Sequence, residues 1–335
     1  MRLKIISNPT RRIFILFSII LLAPAVEMQQ VSGAMLLLDD ALRKPAGLHE
    51  TESLPNPEPL NESDGSRKPS AAPEPGVPQT HDYQDFHSLI LNSQAAMVYD
   101  EHEQRSLYSK NAKNVLPIAS ITKLMTAMVV LDAHLPMNEK IKILQQDKAA
   151  VDHIKKSHSR LSPGITLTRG GLIKLALMSS DNRAAAALAR TYPGGMQAAV
   201  AQMNDKARKL NMENTRFLEP TGLNSGNVST AQDLVKMVLA AQEYEPIHQA
   251  TTTISHSLKA SGRKQMQFHN TNPLVRSGDW NIYLSKTGFI NRAGRCLVMK
   301  ANIHNRQVVI VLLDSKNTST RTQDAISIMD WIGSV

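Results

Sequence analysis

Apolar positions recur along this chain at two main spacings, and each predicts its own kind of element. Residues 94–100, which carry Ala96, Val98 and Tyr99, and residues 106–110 predict a pair of short strands joined through the charged turn Glu101-His102-Glu103. From 118 to 134 the apolar residues recur three and four positions apart, which predicts a helix buried on most sides. Helical patterns follow to about residue 250, over 169–178, 182–191, 196–210 and 230–243. Ser229-Thr230-Ala231-Gln232-Asp233 reads as a helix start, because short hydroxyl side chains accept from the orphan N–H groups of a first turn. Beyond residue 280 strands return over 283–290, 295–303 and 307–313, with Asn305-Arg306 turning between the last two, and a final helix is predicted over 320–332. Strands at both ends of a helical middle predict one sheet built from both termini, with a mainly helical lobe of about residues 136–270 inserted. That is an α/β chain of the α+β type.

The first 85 residues follow neither spacing. Arg2, Lys4, Arg11 and Arg12 precede the apolar run 13–22 and the small-residue site Ala23-Pro24-Ala25, the three parts of an export signal over 1–25. Pro24 interrupts the run before the roughly 20 apolar residues that a bilayer span needs. Ser32-Gly33-Ala34 offers a second cleavage site. Residues 26–85 are acidic and rich in Pro and Ser, and they predict a disordered tether, because such a segment buries too little apolar surface to offset its chain entropy. Folding is expected from residue 86 to 335.

Composition narrows the class. With 335 residues, 42% hydrophobic, 20% charged and a single cysteine, the chain is neither a disordered polymer, a polytopic membrane protein nor a disulfide scaffold. Cys296 has no internal partner, so stability outside the cytoplasm must come from core packing. Residues 94–335 hold 30 basic and 18 acidic residues, whereas 26–93 carry a net −7. A basic globular part suits an anionic polymer as neighbour, or simply a solvated surface. No base-reading motif points to nucleic acid. Pairs such as His153 with His158, or His248 with His256, lack the spacing of a helical zinc site, so no metal is expected and no cofactor is implied.

Three polar motifs carry the candidate chemistry. Ser120 and Lys123 stand three apart in the first helical pattern, where a hydroxyl and an amine share one face. A lysine desolvated among apolar side chains can be neutral enough to take a serine proton. The alternative is a helix start with an exposed lysine, and Ser261-Gly262-Arg263-Lys264 repeats the spacing. Ser180 and Asn182 lie between two apolar helices, where they either cap a helix or face the first motif across a cleft. Lys286-Thr287-Gly288 sits inside a predicted strand followed by Phe289; the glycine suits a strand that a ligand or backbone must approach, and the alternative is an edge strand protected by lysine.

Taken in order, Ser-x-x-Lys, Ser-x-Asn and Lys-Thr-Gly resemble the three motifs of the penicillin-binding proteins and serine β-lactamases. Residues 117–127, Asn214-Thr215-Arg216-Phe217 with Pro220, Gly222 and Leu223, and Ala293-Gly294-Arg295-Cys296-Leu297-Val298 are similar to the low-molecular-mass D-alanyl-D-alanine peptidases, in particular the penicillin-binding protein 7 type, a periplasmic DD-endopeptidase. The resemblance covers about residues 90–335. It implies the serine β-lactamase/DD-peptidase fold, an antiparallel sheet with flanking helices, and a catalytic domain over 86–335. It further implies Ser120 as nucleophile, Lys123 as general base, Ser180 as proton relay and Asn182 as a holder of the substrate amide and of Lys123. Lys286, Thr287 and Gly288 would receive the substrate carboxylate, Ser120 and Phe289 would give oxyanion N–H groups, and Arg321 would be either a carboxylate-binding arginine or a helix-surface residue. The implied partners are peptidoglycan peptide stems and cross-links, with β-lactam antibiotics as acylating inhibitors, in the periplasm and without a stable membrane anchor after signal cleavage. Two alternatives stay open. In a β-lactamase, Glu219 before Pro220 would activate the hydrolytic water; in a non-catalytic wall-binding or penicillin-sensing domain, the cleft would be retained without turnover.

Overall fold

A computed structural model describes residues 89–152, 159–259 and 265–334. The export signal, the tether, the start near residue 86, the 261–264 repeat of the Ser/Lys spacing, and His153 and His158 lie outside the described residues.

In chain order the elements are β1 (Ala95–Asp100), β2 (Arg105–Lys110), the two-residue β3 (Leu116–Pro117), a 3-10 turn (Ala119–Ile121) and α1 (Thr122–Asp132). Next come β4 (Lys140–Lys142), α2 (Gln145–Asp152), β5 (Thr166–Thr168), α3 (Arg169–Met178), α4 (Asn182–Arg190) and α5 (Gly195–Lys209). They are followed by β6 (Val228–Ser229), α6 (Ala231–Ala241), α7 (Glu245–Thr252), β7 (Ser255–Leu258), β8 (Met266–His269) and α8 (Pro273–Ser277). Last are β9 (Asn281–Ile290), β10 (Gly294–Ile303), β11 (Arg306–Ser315) and α9 (Thr318–Ser334). The main sheet runs β2-β1-β11-β10-β9, antiparallel throughout, so strands from both ends of the domain meet where β1 pairs with β11. This is the α+β architecture that the pattern predicts.

The central strands are apolar at nearly every position because both faces are covered. Along β11, Val308, Ile310 and Leu312 face a core shared with Ala325, Ile328 and Ile332 of α9. The intervening Val309, Val311 and Leu313 face the helical side, as the period of two requires. That second core continues without a break into α1, α3, α4 and α6. A mainly helical lobe over about 136–270 is the expected insertion. Within that segment α6 packs directly on β1, β10 and β11, so a helix of the insertion forms part of the sheet's own cover.

α4 lies at the centre of this cover. Ala184–Ala187 and Ala189 are fully buried, and such small side chains let α2, α3 and α5 approach its backbone closely. Asp181 caps it by accepting from Ala184 N–H, so Asn182 at its first position stands on a rigid element. Cys296 is free and buried, its thiol pushed up to about 12 by burial. Among the described residues no helix is long and apolar enough to cross a membrane.

Candidate functional site

The chain enters the site through a strained turn. Ser120 lies in the 3-10 turn ahead of α1 rather than within the long helix, and Ala119 has a left-handed φ of 46°. Thr122 Oγ1 donates to Ala119 O at 2.8 Å. Two glycines come close to this backbone. Gly222 has φ +81°, and a Cβ there would lie 1.9 Å from Ala119 O. A Cβ on Gly288 would lie 2.9 Å from Ile118 O and 3.1 Å from Ser120 N. Of the two reasons that the sequence offers for the glycine of Lys-Thr-Gly, a ligand or a backbone coming close, the backbone of the Ser120 turn is the one seen here, and it sets the distance from β9 to Ser120.

Lys123 is completely buried in α1. Its Nζ is 2.7 Å from Ser120 Oγ, 2.7 Å from Asn182 Oδ1 and 2.6 Å from Thr221 O. Burial lowers its pKa to about 7 against the opposing pull of the Glu219 and Asp181 carboxylates. Neither an exposed lysine nor a simple helix start describes this pair.

Thr221 O is held in place by Glu219. That carboxylate accepts from Thr221 N–H at 2.7 Å, Thr221 Oγ1 at 2.5 Å, Gly222 N–H at 2.6 Å and Asn227 Nδ2 at 3.2 Å. Its lone pairs are spent on its own loop, which counts against the water-activating role that a β-lactamase would give it.

Across the cleft, Lys286 is buried on β9, and its Nζ donates to Ser180 Oγ at 3.0 Å and to Thr287 O at 2.9 Å. Burial, then the Lys123 and Arg321 charges, hold its pKa well below the ordinary lysine value. Ser180 meets it from the α3–α4 junction with φ +59°, a conformation that costs a non-glycine residue about 1–3 kcal/mol and tends to mark functional sites. Thr287 Oγ1 donates to Thr271 Oγ1 at 2.6 Å. Arg321 is not a helix-surface residue. It is 3% exposed, Nη1 donates to Cys296 O at 3.2 Å, and Nε has no partner. Burial and then the neighbouring Arg295 bring its pKa down to about 10.

A cleft of 360 Å³ joins these groups, with Ser120, Ser180, Asn182, Thr287, Gly288, Phe289 and Arg321 along it and the two lysines behind. All nine residues singled out from the sequence therefore meet in one place. Thr221, Thr271 and Arg295 also contribute there and were not singled out as site residues, and Glu219, considered only as the water activator of a β-lactamase, contributes by holding Thr221. Thr221 acts through a carbonyl, for which side-chain identity gives no signal. Among the described residues no group of three or more His, Cys, Asp or Glu could hold a metal ion.

The family model described as D-alanyl-D-alanine carboxypeptidase matches residues 83–317. The chain belongs to that family. It is 46% identical over 243 residues to a D-alanyl-D-alanine endopeptidase of Escherichia coli, covering 72% of this chain and 77% of that one. It is 44% identical, over the same shares, to the enzyme of the same name from Pseudomonas aeruginosa. Among solved structures, a Streptomyces DD-transpeptidase superposes with a TM-score of 0.69 at 27% identity, covering 73% of this chain and 98% of that one. Penicillin-binding protein D2 from Listeria monocytogenes, in an ampicillin-bound form, gives 0.62 at 28% identity, covering 72% and 98%. The fold is that of the DD-peptidases, and the chain is a serine hydrolase of this family.

Proposed function

We propose that this family member hydrolyses D-alanyl-D-alanine-type peptide cross-links of peptidoglycan through an acyl-enzyme on Ser120, with some trimming of terminal D-alanine. The observation that carries the reading is the hydrogen-bond balance at Lys123. When the amine is neutral, its two N–H groups satisfy Asn182 Oδ1 and Thr221 O, and its lone pair faces Ser120 Oγ at 2.7 Å. Such an amine takes the hydroxyl proton as Ser120 attacks the D-alanyl carbonyl. With its pKa near 7, a large fraction of Lys123 is in that form at neutral pH.

Ser120 and Phe289 N–H groups hold the oxyanion, since Gly288 brings this part of β9 against the Ser120 turn. Ser180, hydrogen-bonded to Lys286, passes a proton to the leaving amine. Asn182 keeps Lys123 aimed and contacts the substrate amide. β9 is an edge strand of the sheet, so an extended peptide can pair along it, with its carboxylate on Thr287 and Arg321. Penicillins acylate Ser120 by the same route.

The endopeptidase preference is supported by the two relatives that bear that name. Export by residues 1–25 places the domain in the periplasm, where the net +12 of residues 94–335 faces an anionic wall polymer rather than nucleic acid. Purified protein incubated with a cross-linked peptide dimer should release the two single stems, and Ser120→Ala should release none. An intact dimer in the presence of penicillin-reactive wild type would sink the endopeptidase assignment.

A further inference from the structure

The cleft does not end at Arg321. Arg295 of β10 lies opposite Phe289 in the β9–β10 register, and its guanidinium rests 3.6 Å from the centre of the Phe289 ring. It lines the same cleft as Ser120 and Arg321, and it is close enough to Arg321 to depress that residue's pKa. Among the described residues neither guanidinium has a carboxylate partner, and Arg321 Nε is buried without any acceptor. Two like charges held together at such a place disfavour the empty site and favour an anion.

Thr287 and Phe289 are two residues apart on one face of β9, so the Phe289 position that Arg295 covers is about 7 Å along the strand from Thr287. A departing terminal D-alanine carries one carboxylate, which Thr287 and Arg321 occupy. A departing peptide arm carries further carboxylates. We infer that Arg295, braced on Phe289, binds a second carboxylate on the leaving arm and makes the cleft prefer an acidic cross-linked arm over a single D-alanine. The inference rests on the peptidase reading above and adds a specificity-determining residue to it.

The braced guanidinium can present a two-pronged donor edge, which lysine cannot reproduce. The test compares a cross-linked peptide dimer with a single stem ending in D-alanyl-D-alanine, in wild type, Arg295→Gln and Arg295→Lys. For the dimer, kcat/KM should fall about tenfold in Arg295→Gln and less in Arg295→Lys. For the stem it should change by less than about twofold, and wild-type selectivity should shrink as salt is raised. Equal losses on both substrates, or no loss on either, would overturn the assignment. Binding is read separately, as protection of Ser120 from penicillin labelling by each peptide. If the wild type cleaves neither peptide, the peptidase reading fails. Protection by the dimer that weakens in Arg295→Gln would still uphold the second site, and equal protection by dimer and stem would remove it.

Discussion

The two walls of the cleft treat their donors in opposite ways. On the wall built by the Ser120 turn, α1, α4 and the Thr221 loop, the three contacts of Lys123 Nζ are all met within 2.7 Å. On the wall built by β9, β10 and α9, Lys286 and Thr287 are met but the two guanidiniums are not: Arg321 Nε has no acceptor, and Arg295 rests on an aromatic face. A wall satisfied within itself can hold one amine in a fixed geometry and tune its proton. A wall left short of acceptors is completed by an anionic ligand. The first is set for chemistry before substrate arrives, and the second recognises.

Breaking the satisfied wall should have the largest effect. Lys123→Met should leave Ser120 in place without a base and slow acylation by penicillin about a thousandfold, read as adduct formation by intact mass. Gly222→Ala should cost about 3 kcal/mol, because the new Cβ meets Ala119 O and the positive φ is lost to strain; a lowered Tm with impaired acylation is expected, and a neutral result would mean the turn is not clamped. On the unsatisfied wall, Arg321→Gln should slow penicillin acylation about tenfold at low salt, and by less at high salt. Glu219→Gln should sharpen the contrast most gently. Losing acceptor capacity loosens the Thr221 loop, acylation should slow about fivefold, and the lifetime of the penicillin adduct should not change. A much longer lifetime would revive the water-activating role.

Legibility in the sequence followed the same divide between regular packing and special contacts. Four of the five sheet strands, α1, α3 to α6 and α9 show in the spacing of apolar residues, since each buries a face or both faces, while β2, which buries no residue fully, shows only as the partner of β1 across a charged turn. The two-stranded pairs β3–β6, β4–β5 and β7–β8, with α2, α7 and α8, were missed, because they are short and carry little apolar periodicity. Motif order brought out the groups whose side chains carry chemistry. What stayed hidden were backbone acceptors and special conformations: Thr221 O, the left-handed Ala119 and Ser180, and which backbone approaches Gly288. Arg321 looked like a possible surface residue because helix position alone does not say that α9 starts against the cleft. Arg295 sits in a quoted motif, yet only the β9–β10 register sets it over Phe289.

The central claim is that a buried, neutral Lys123 activates Ser120. Its pKa is depressed from the ordinary lysine value, so the basic form, and with it the acylation rate, should increase as pH rises through about 7 and then level off. The measurement is the second-order rate of penicillin acylation from pH 5 to 10, in wild type and Lys123→Met. A single rise with a midpoint near 7 in the wild type, absent from the variant, is the expected result. A midpoint above about 9, or the same profile in Lys123→Met, would contradict it.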